Sequence, residues 1–475
     1  MSVVLSLTAW VAYSVKIILH EANMKIKKAV FAGVGILSLA SCSSLQPSPR
    51  EARAPESIEM IPSLQATRYL LPNGLRLIVH EDHSAPTFAY QTWFDVGSRD
   101  EVPGKTGLAH LFEHMMFKGT PAVPDGEFDR ILDEAGAEGQ NAYTTHDHTT
   151  YIEELPNDRL ELVIQLEADR MRNLIVNDQS FKTEQEVVQN ERRFRNENSP
   201  DGLIYQEIYH LAFEKHPYHW PVIGYADDLA KMTAQDARSF YQQHYAPNRA
   251  VIVVSGDVNA KKVRGLIEKY YGSYSAIPLE TPHYSAEPAQ ISTRRKSLRL
   301  NIQVEKLMMA FHIPALDHPD MAALDMIQMI LSGGRSSRLQ KALVESGIAS
   351  SAGGYAIDAR SPSLFLFSAS MQAKAKATTA EQVILKELER LSRHEVSMQE
   401  LERARNLLSF EFYGGLESNS EKARFIGHHE LQAGGLERGL EFHHRRLAVT
   451  PKEIREVARK YFMGRARTVV LGLKK

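Results

Sequence analysis

MTAQDARSFYQQHYAPNRAVIVVSG, residues 232–256, and VTPKEIREVARKYFMGRARTVVLG, residues 449–472, are two versions of one pattern. Each opens on a helix-capping box, Thr233 with Asp236 and Thr450 with Glu453, in which hydroxyl and carboxylate satisfy each other's backbone N–H groups. Each then runs through a helical stretch to an aromatic residue, Tyr245 or Phe462, and into a Val-rich strand ending at Gly256 or Gly472. The two threonines stand 217 residues apart in a chain of 475, which reads as two copies of one domain.

Apolar periodicity places strands over residues 75–80 and 88–94, then a helix around 107–117 and another near 127–135. Long helical patterns follow over 158–173 and 179–196. Strands and helices mixed in this order predict an α+β fold of two homologous domains, each a mostly antiparallel sheet packed with helices. The expected organisation is a signal or lipoprotein segment over 1–45, a tether over 46–66, a first domain over 67–274, a linker over 275–293 and a second domain over 294–475. The linker holds three prolines and little apolar pattern.

Within the first copy, GLAHLFEHMMF (residues 107–117) carries His110, Glu113 and His114 as His-x-x-Glu-His. Residues four apart share a helix face, so both histidines can reach one metal ion with Glu113 beside them. Hydrolytic zinc sites take three protein ligands and leave a position open, so a further ligand is needed. The single cysteine, Cys42, leaves no internal disulfide framework and takes thiolate off the list of ligands. In FKTEQEVVQNERR, Glu184 and Glu191 lie seven residues apart, close to two helical turns, so one can ligate and the other support it. The competing reading of a lone histidine is a core residue, but the pairing with a Glu favours ligands. The early helix of the second copy, over 321–331, contains no histidine.

Between His114 and Glu191 lie 76 residues, and here the chain resembles the inverse zinc peptidases of the insulinase/pitrilysin type, including the mitochondrial processing peptidase. NGLRLIVHEDHSAP (73–86), VGSRDEVPGKTGLAH (96–110) and NAYTTHDHTTY (141–151) carry the likeness, which runs from about residue 70 to the C-terminus. The resemblance implies a metalloendopeptidase holding one Zn²⁺ on His110, His114 and Glu191, with Glu184 supporting the site. Glu113 takes the role of general base and acid, moving a proton from the attacking water to the leaving amine. It also implies an edge strand at Asn141 and Ala142 that accepts peptide substrate by backbone pairing. The nearby His146, Asp147 and His148 are expected as surface polar residues on a strand, and Arg294, Arg295 and Lys296 as the solvated start of another strand.

Members of this size pair two subunits, and the one facing the zinc contributes an Arg and, seven residues on, a Tyr. In SSRLQKALVESGIASSAGGY (336–355) those positions fall on Val344 and near Ser350, with one residue deleted. Neither can donate to an oxyanion as Arg or Tyr does. The expected partner is therefore a related, zinc-less subunit supplying the pair, with a homodimer as the alternative. A different class of reading, a non-catalytic scaffold subunit of an envelope complex, sits less well with an intact metal motif.

From Met24, MKIKKAVFAGVGILSLASCSS has the basic start, apolar run and Leu39-Ala40-Ser41-Cys42 lipobox of a bacterial lipoprotein signal. That reading makes Met24 the start, Cys42 the lipid-bearing residue, and the location the cell envelope, on the outer membrane facing the periplasm. Stable anchoring takes more than one acyl chain. The competing reading is an uncleaved membrane anchor over residues 1–45. With 56 basic and 58 acidic side chains, nothing argues for a nucleic-acid partner.

Overall fold

The computed structural model describes residues 64–279 and 284–475. Cys42, the signal-like segment, most of the tether and residues 280–283 of the linker lie outside the described residues. The first sheet contains β1 (Ala66–Leu70), β2 (Arg76–Glu81), β3 (Thr87–Phe94), β4 (Glu138–Thr144), β5 (Thr149–Pro156) and β6 (Ala250–Gly256), in the order β1-β2-β6-β3-β5-β4. The second contains β7 (Arg294–Leu300), β8 (Lys306–Ile313), β9 (Ala349–Ala356), β10 (Ser363–Met371) and β11 (Thr468–Lys474), in the order β7-β11-β8-β10-β9. Each sheet has one parallel pair, β2 with β6 and β7 with β11, and is otherwise antiparallel. The Val-rich strands of the sequence repeat are the two that enter parallel. All of β6 is buried, as expected of a strand covered on both faces.

The first half supplies α1 (Leu108–Met115), α2 (Glu127–Glu134), α3 (Leu160–Asn173), α4 (Asp178–Arg192), α5 (Pro200–Ala212), α6 (Ala226–Lys231), α7 (Ala234–His244) and α8 (Ala260–Tyr271). The second supplies α9 (Met321–Ser332), α10 (Ala377–Arg393), α11 (Met398–Gly414), α12 (Asn419–Gln432), α13 (Leu436–Ala448) and α14 (Pro451–Phe462). Both expected capping boxes form, Thr233 with Asp236 on α7 and Thr450 with Glu453 on α14.

The two copies exchange helices, which the sequence reading did not anticipate. From the first half, α5 lays Ile204, Ile208 and Ala212 on Leu300, Ala310, Leu364 and Val470 of the second sheet. From the second half, α12 lays Ala423 and Ile426 on Ile78, Ala89, Trp93 and Val253 of the first. Each exchanged helix follows the long helix of its own copy, α4 or α11. Close approach depends on glycine: a Cβ on Gly427 would meet the Trp93 ring at 2.2 Å, and one on Gly472 would meet Ile204 at 2.7 Å.

Several local expectations change. Residues 145–148 form the turn between β4 and β5, not a strand, and Asp147 and His148 are buried rather than on the surface. The cause is a latch across the two halves. Asp147 accepts hydrogen bonds from Arg99 (2.8 Å), Tyr218 (2.7 Å) and the backbone N–H of Arg360 (3.0 Å), and Gln432 donates to His148 (2.6 Å). Leu64, inside the stretch read as tether, is already core. The linker is tied down as well, since Glu287 accepts the backbone N–H groups of Glu214, Lys215 and His216. Arg294, Arg295 and Lys296 do open β7, each paired with an acid: Glu214, Glu381 and Glu207.

Gly427→Val places two methyl groups where the Trp93 indole lies. We expect urea unfolding of this variant to show a loss of about 1–3 kcal/mol, the usual cost of overpacking a filled core. An unchanged midpoint would mean that α12 does not seat on Trp93.

Candidate metal centre

Helix α1 forms because Leu108, Leu111, Phe112 and Met115 share an apolar face that is buried in the first core. Phe112 stacks on Tyr241 at 5.4 Å and sits 4.4 Å from the ring of Tyr245, so the repeat aromatic supports the motif helix directly. Its N-terminus is set by two glycines. Gly107 (φ 93°) and Gly224 (φ 78°) press backbone on backbone, and a Cβ on Gly224 would lie 2.1 Å from Thr106 O. The buried Glu101 accepts the first free N–H groups, from Gly107 (2.9 Å) and Ala109 (2.8 Å).

Helix α4 packs against α1. Its buried face carries Phe181, Glu184 and Val188, and the next turn on that side brings Glu191. The result gathers His110, His114 and Glu191, whose donor atoms lie within 4.8 Å of one another. Glu191 Oε2 is 3.3 Å from His114 Nε2 and 3.8 Å from His110 Nε2. Donors on a tetrahedral zinc with bonds of about 2.1 Å stand about 3.4 Å apart. The Glu191–His114 edge already matches, and the Glu191–His110 edge is about 0.4 Å longer. Two imidazoles and a carboxylate are a donor set zinc takes, so the residues present fit the ion.

Glu113 is buried beside this cluster, where the Thr144 hydroxyl donates to its Oε2 at 2.5 Å. Glu184 bridges His114 Nδ1 (3.3 Å) and Lys118 Nζ (2.9 Å), and Glu191 Oε1 meets Arg195 at 2.7 Å. Asn141 and Ala142 lie on β4, the outermost strand of the sheet. The Ala142 N–H donates to the adjacent Asn141 side chain (2.9 Å), and among the described residues no strand pairs with the outer edge of β4.

Burial shapes the charges. It pushes His110 down to about 3, helped by the neighbouring His114. It pushes Glu113 up to about 7, against the pull of His114 and Thr144. Burial also opposes a charge on His114, but hydrogen bonds to Glu184 and Glu191 outweigh it and hold the imidazole at about 10. For Glu191, burial is overcome by the bond from His114 and by His110 and Arg195, which bring it to about 2. The two carboxylates on either side of His114 thus favour its charged form.

Sequence reasoning named the donors, Glu113 and Glu184, but missed Glu101, Lys118, Thr144 and Arg195. Two of these carried a signal: Lys118 follows His114, and Arg195 follows Glu191, each by four residues.

Residues 76–225 match the family described as Insulinase (Peptidase family M16), and residues 231–408 match Peptidase M16 inactive domain. Over 423 residues the chain is 32% identical to Zinc protease PqqE of Helicobacter pylori, covering 86% of this chain and 94% of that protein. The chain belongs to the insulinase family. Another family relative, Uncharacterized zinc protease YmxG of Bacillus subtilis, is 26% identical over 77% of this chain and 88% of its own length. A crystal structure of a protease from Helicobacter pylori superimposes with a TM-score of 0.83 at 31% identity, over 86% of this chain and 99% of that one. These names support a protease-type function with zinc as the metal.

The second copy has the corresponding helix pair without a histidine, and its buried Asp325 is paired with Arg446. There α9 and α11 meet through core residues including Ile327, Ile330, Leu331, Leu401, Ala404 and Leu408.

Because a metal must displace the proton held on His114, zinc affinity should rise with pH from 7 towards 10. Calorimetry at pH 7.5 in buffers of different ionisation enthalpy should show release of about one proton or more per zinc. Uptake without proton release would contradict this charge assignment.

Proposed function

We propose that the chain is a zinc metalloendopeptidase that hydrolyses peptides or unfolded segments. The observation that carries the reading is the meeting of His110, His114 and Glu191 beside a buried Glu113, next to an open strand edge. Zinc held by those three residues supplies Lewis-acid chemistry for hydrolysis. The rest falls to the chain itself. An extended peptide adds to the free edge of β4, its backbone replacing the Asn141 side chain at the Ala142 N–H. Thr144 occupies Oε2 of Glu113 and leaves Oε1 to take the proton of the attacking water. A carboxyl poised near pH 7 can then pass that proton to the leaving nitrogen. Main-chain pairing supplies affinity with little reading of side chains, which suits varied peptide sequences.

Val344 sits in the short π-turn Gln340–Glu345, and Ser350 on β9 donates to Ser370 O (3.1 Å). Neither offers what an Arg and a Tyr offer a substrate carbonyl, so the reading includes a related, zinc-less partner that supplies them, with a homodimer as the alternative. It also includes attachment through a lipid on Cys42 in the bacterial envelope, supported by the sequence over residues 24–42. The non-catalytic scaffold reading is disfavoured by the intact donor set.

Glu113→Gln, isolated with whatever chain copurifies, should retain one zinc and lose at least about 100-fold in peptide cleavage, the usual worth of a positioned acid–base. An active Glu113→Gln protein would overturn the mechanism. Native mass measurement beside the assay tests the partner: full activity from a pure homodimer counts against the heterodimer.

A further inference from the structure

We infer that Lys118 and Arg195 are positioning residues, each holding the outer oxygen of a carboxylate so that the inner oxygen is aimed at the metal centre. The inference rests on zinc being held by His110, His114 and Glu191.

A carboxylate has two equivalent oxygens and a freely turning terminal bond, so a ligand of this kind needs something to fix which oxygen faces inward. At Glu184, Lys118 Nζ takes Oε1 at 2.9 Å while Oε2 stands 3.3 Å from His114 Nδ1. That arrangement commits Nδ1 to donate to Glu184 and frees the lone pair of Nε2 for a metal. At Glu191, Arg195 Nη1 lies 2.7 Å from Oε1 as an ion pair, and Oε2 faces both Nε2 atoms. The two cations thus do the same job on two carboxylates of α4, Lys118 from just beyond α1 and Arg195 from just beyond α4.

Both cations are largely shielded from solvent, although Lys118 also pairs with the exposed Asp125 (3.4 Å). The Lys118 side chain is 18% exposed and that of Arg195 is 28% exposed. Arg195 also lies in a π-turn, Arg193–Glu197, that continues α4 directly beyond Glu191. The start of α5 is pressed against this turn: a Cβ on Gly202 would meet the Arg195 carbonyl oxygen at 2.1 Å. The helix exchanged to the second sheet therefore fixes the backbone from which Arg195 reaches Glu191. π-turns of this kind recur at functional sites.

Charge and geometry predict opposite signs. A cation repels a nearby dication, so on Coulomb grounds alone removing Lys118 or Arg195 would tighten zinc binding. Removing a positioning partner loosens it, by about 10–100-fold for groups that orient ligands.

The test measures zinc affinity of the purified full chain by chelator competition, with circular dichroism confirming the fold of each variant. Lys118→Met and Arg195→Met are each expected to weaken zinc binding about 10–100-fold. Lys118→Met added to Glu184→Gln is expected to weaken it no further than Glu184→Gln alone, because Lys118 acts through that carboxylate. Cobalt(II) absorption of the loaded Arg195→Met protein supplies a second readout, losing tetrahedral intensity if Glu191 is no longer aimed. Equal or tighter zinc binding in the methionine variants, or a cobalt spectrum unchanged by Arg195→Met, overturns the inference. A wild-type chain that binds no zinc instead defeats the functional reading on which it rests.

Discussion

The contact between α1 and α4 brings three carboxylates and two imidazoles together inside an aliphatic and aromatic core, and that concentration of buried charge governs the site. Isolated charges are costly to bury, so such a cluster persists only when opposite charges and hydrogen bonds compensate it. Here the compensation is layered. His114 lies between Glu184 and Glu191, and Lys118 and Arg195 close the outer side. A divalent cation held by His110, His114 and Glu191 would offset the same carboxylate charge. In the second copy the corresponding helix contact is mostly aliphatic, and its buried Asp325 is paired with Arg446 in place of a His and Glu cluster.

Helices α1 and α4 sit on the first sheet's own core, and α5 and α12 are exchanged between the two sheets. Each sheet has one face covered by its own copy and the other by a helix from its neighbour, so neither half buries its sheet alone. The Asp147 latch adds directional bonds across the same boundary, close to Thr144 and β4. The outer edge of β4, the Thr144 hydroxyl bonded to Glu113 and the contact between the halves therefore share one hairpin.

The repeat at Thr233 and Thr450 was legible because capping boxes and Val-rich strands are local signals. The donors were legible because helical spacing puts His110 and His114 on one face and Glu184 and Glu191 on another. The helix exchange left no trace, since α5 and α12 are amphipathic in the ordinary way and periodicity does not say which sheet receives them. Asp147 misled for a related reason. A polar triplet of His, Asp and His reads as surface until Arg99, Tyr218 and the Arg360 backbone arrive from distant stretches of chain. Glu101 was hidden because it caps α1 from outside the usual N-cap position.

The most direct test of the account is an anomalous difference map at the zinc absorption edge from crystals of the zinc-loaded chain. One strong peak per chain is expected, about 2.0–2.2 Å from His110 Nε2, His114 Nε2 and one oxygen of Glu191. None is expected between α9 and α11. A zinc-loaded crystal with no peak at those three donors, or with zinc held elsewhere in the chain, would contradict it.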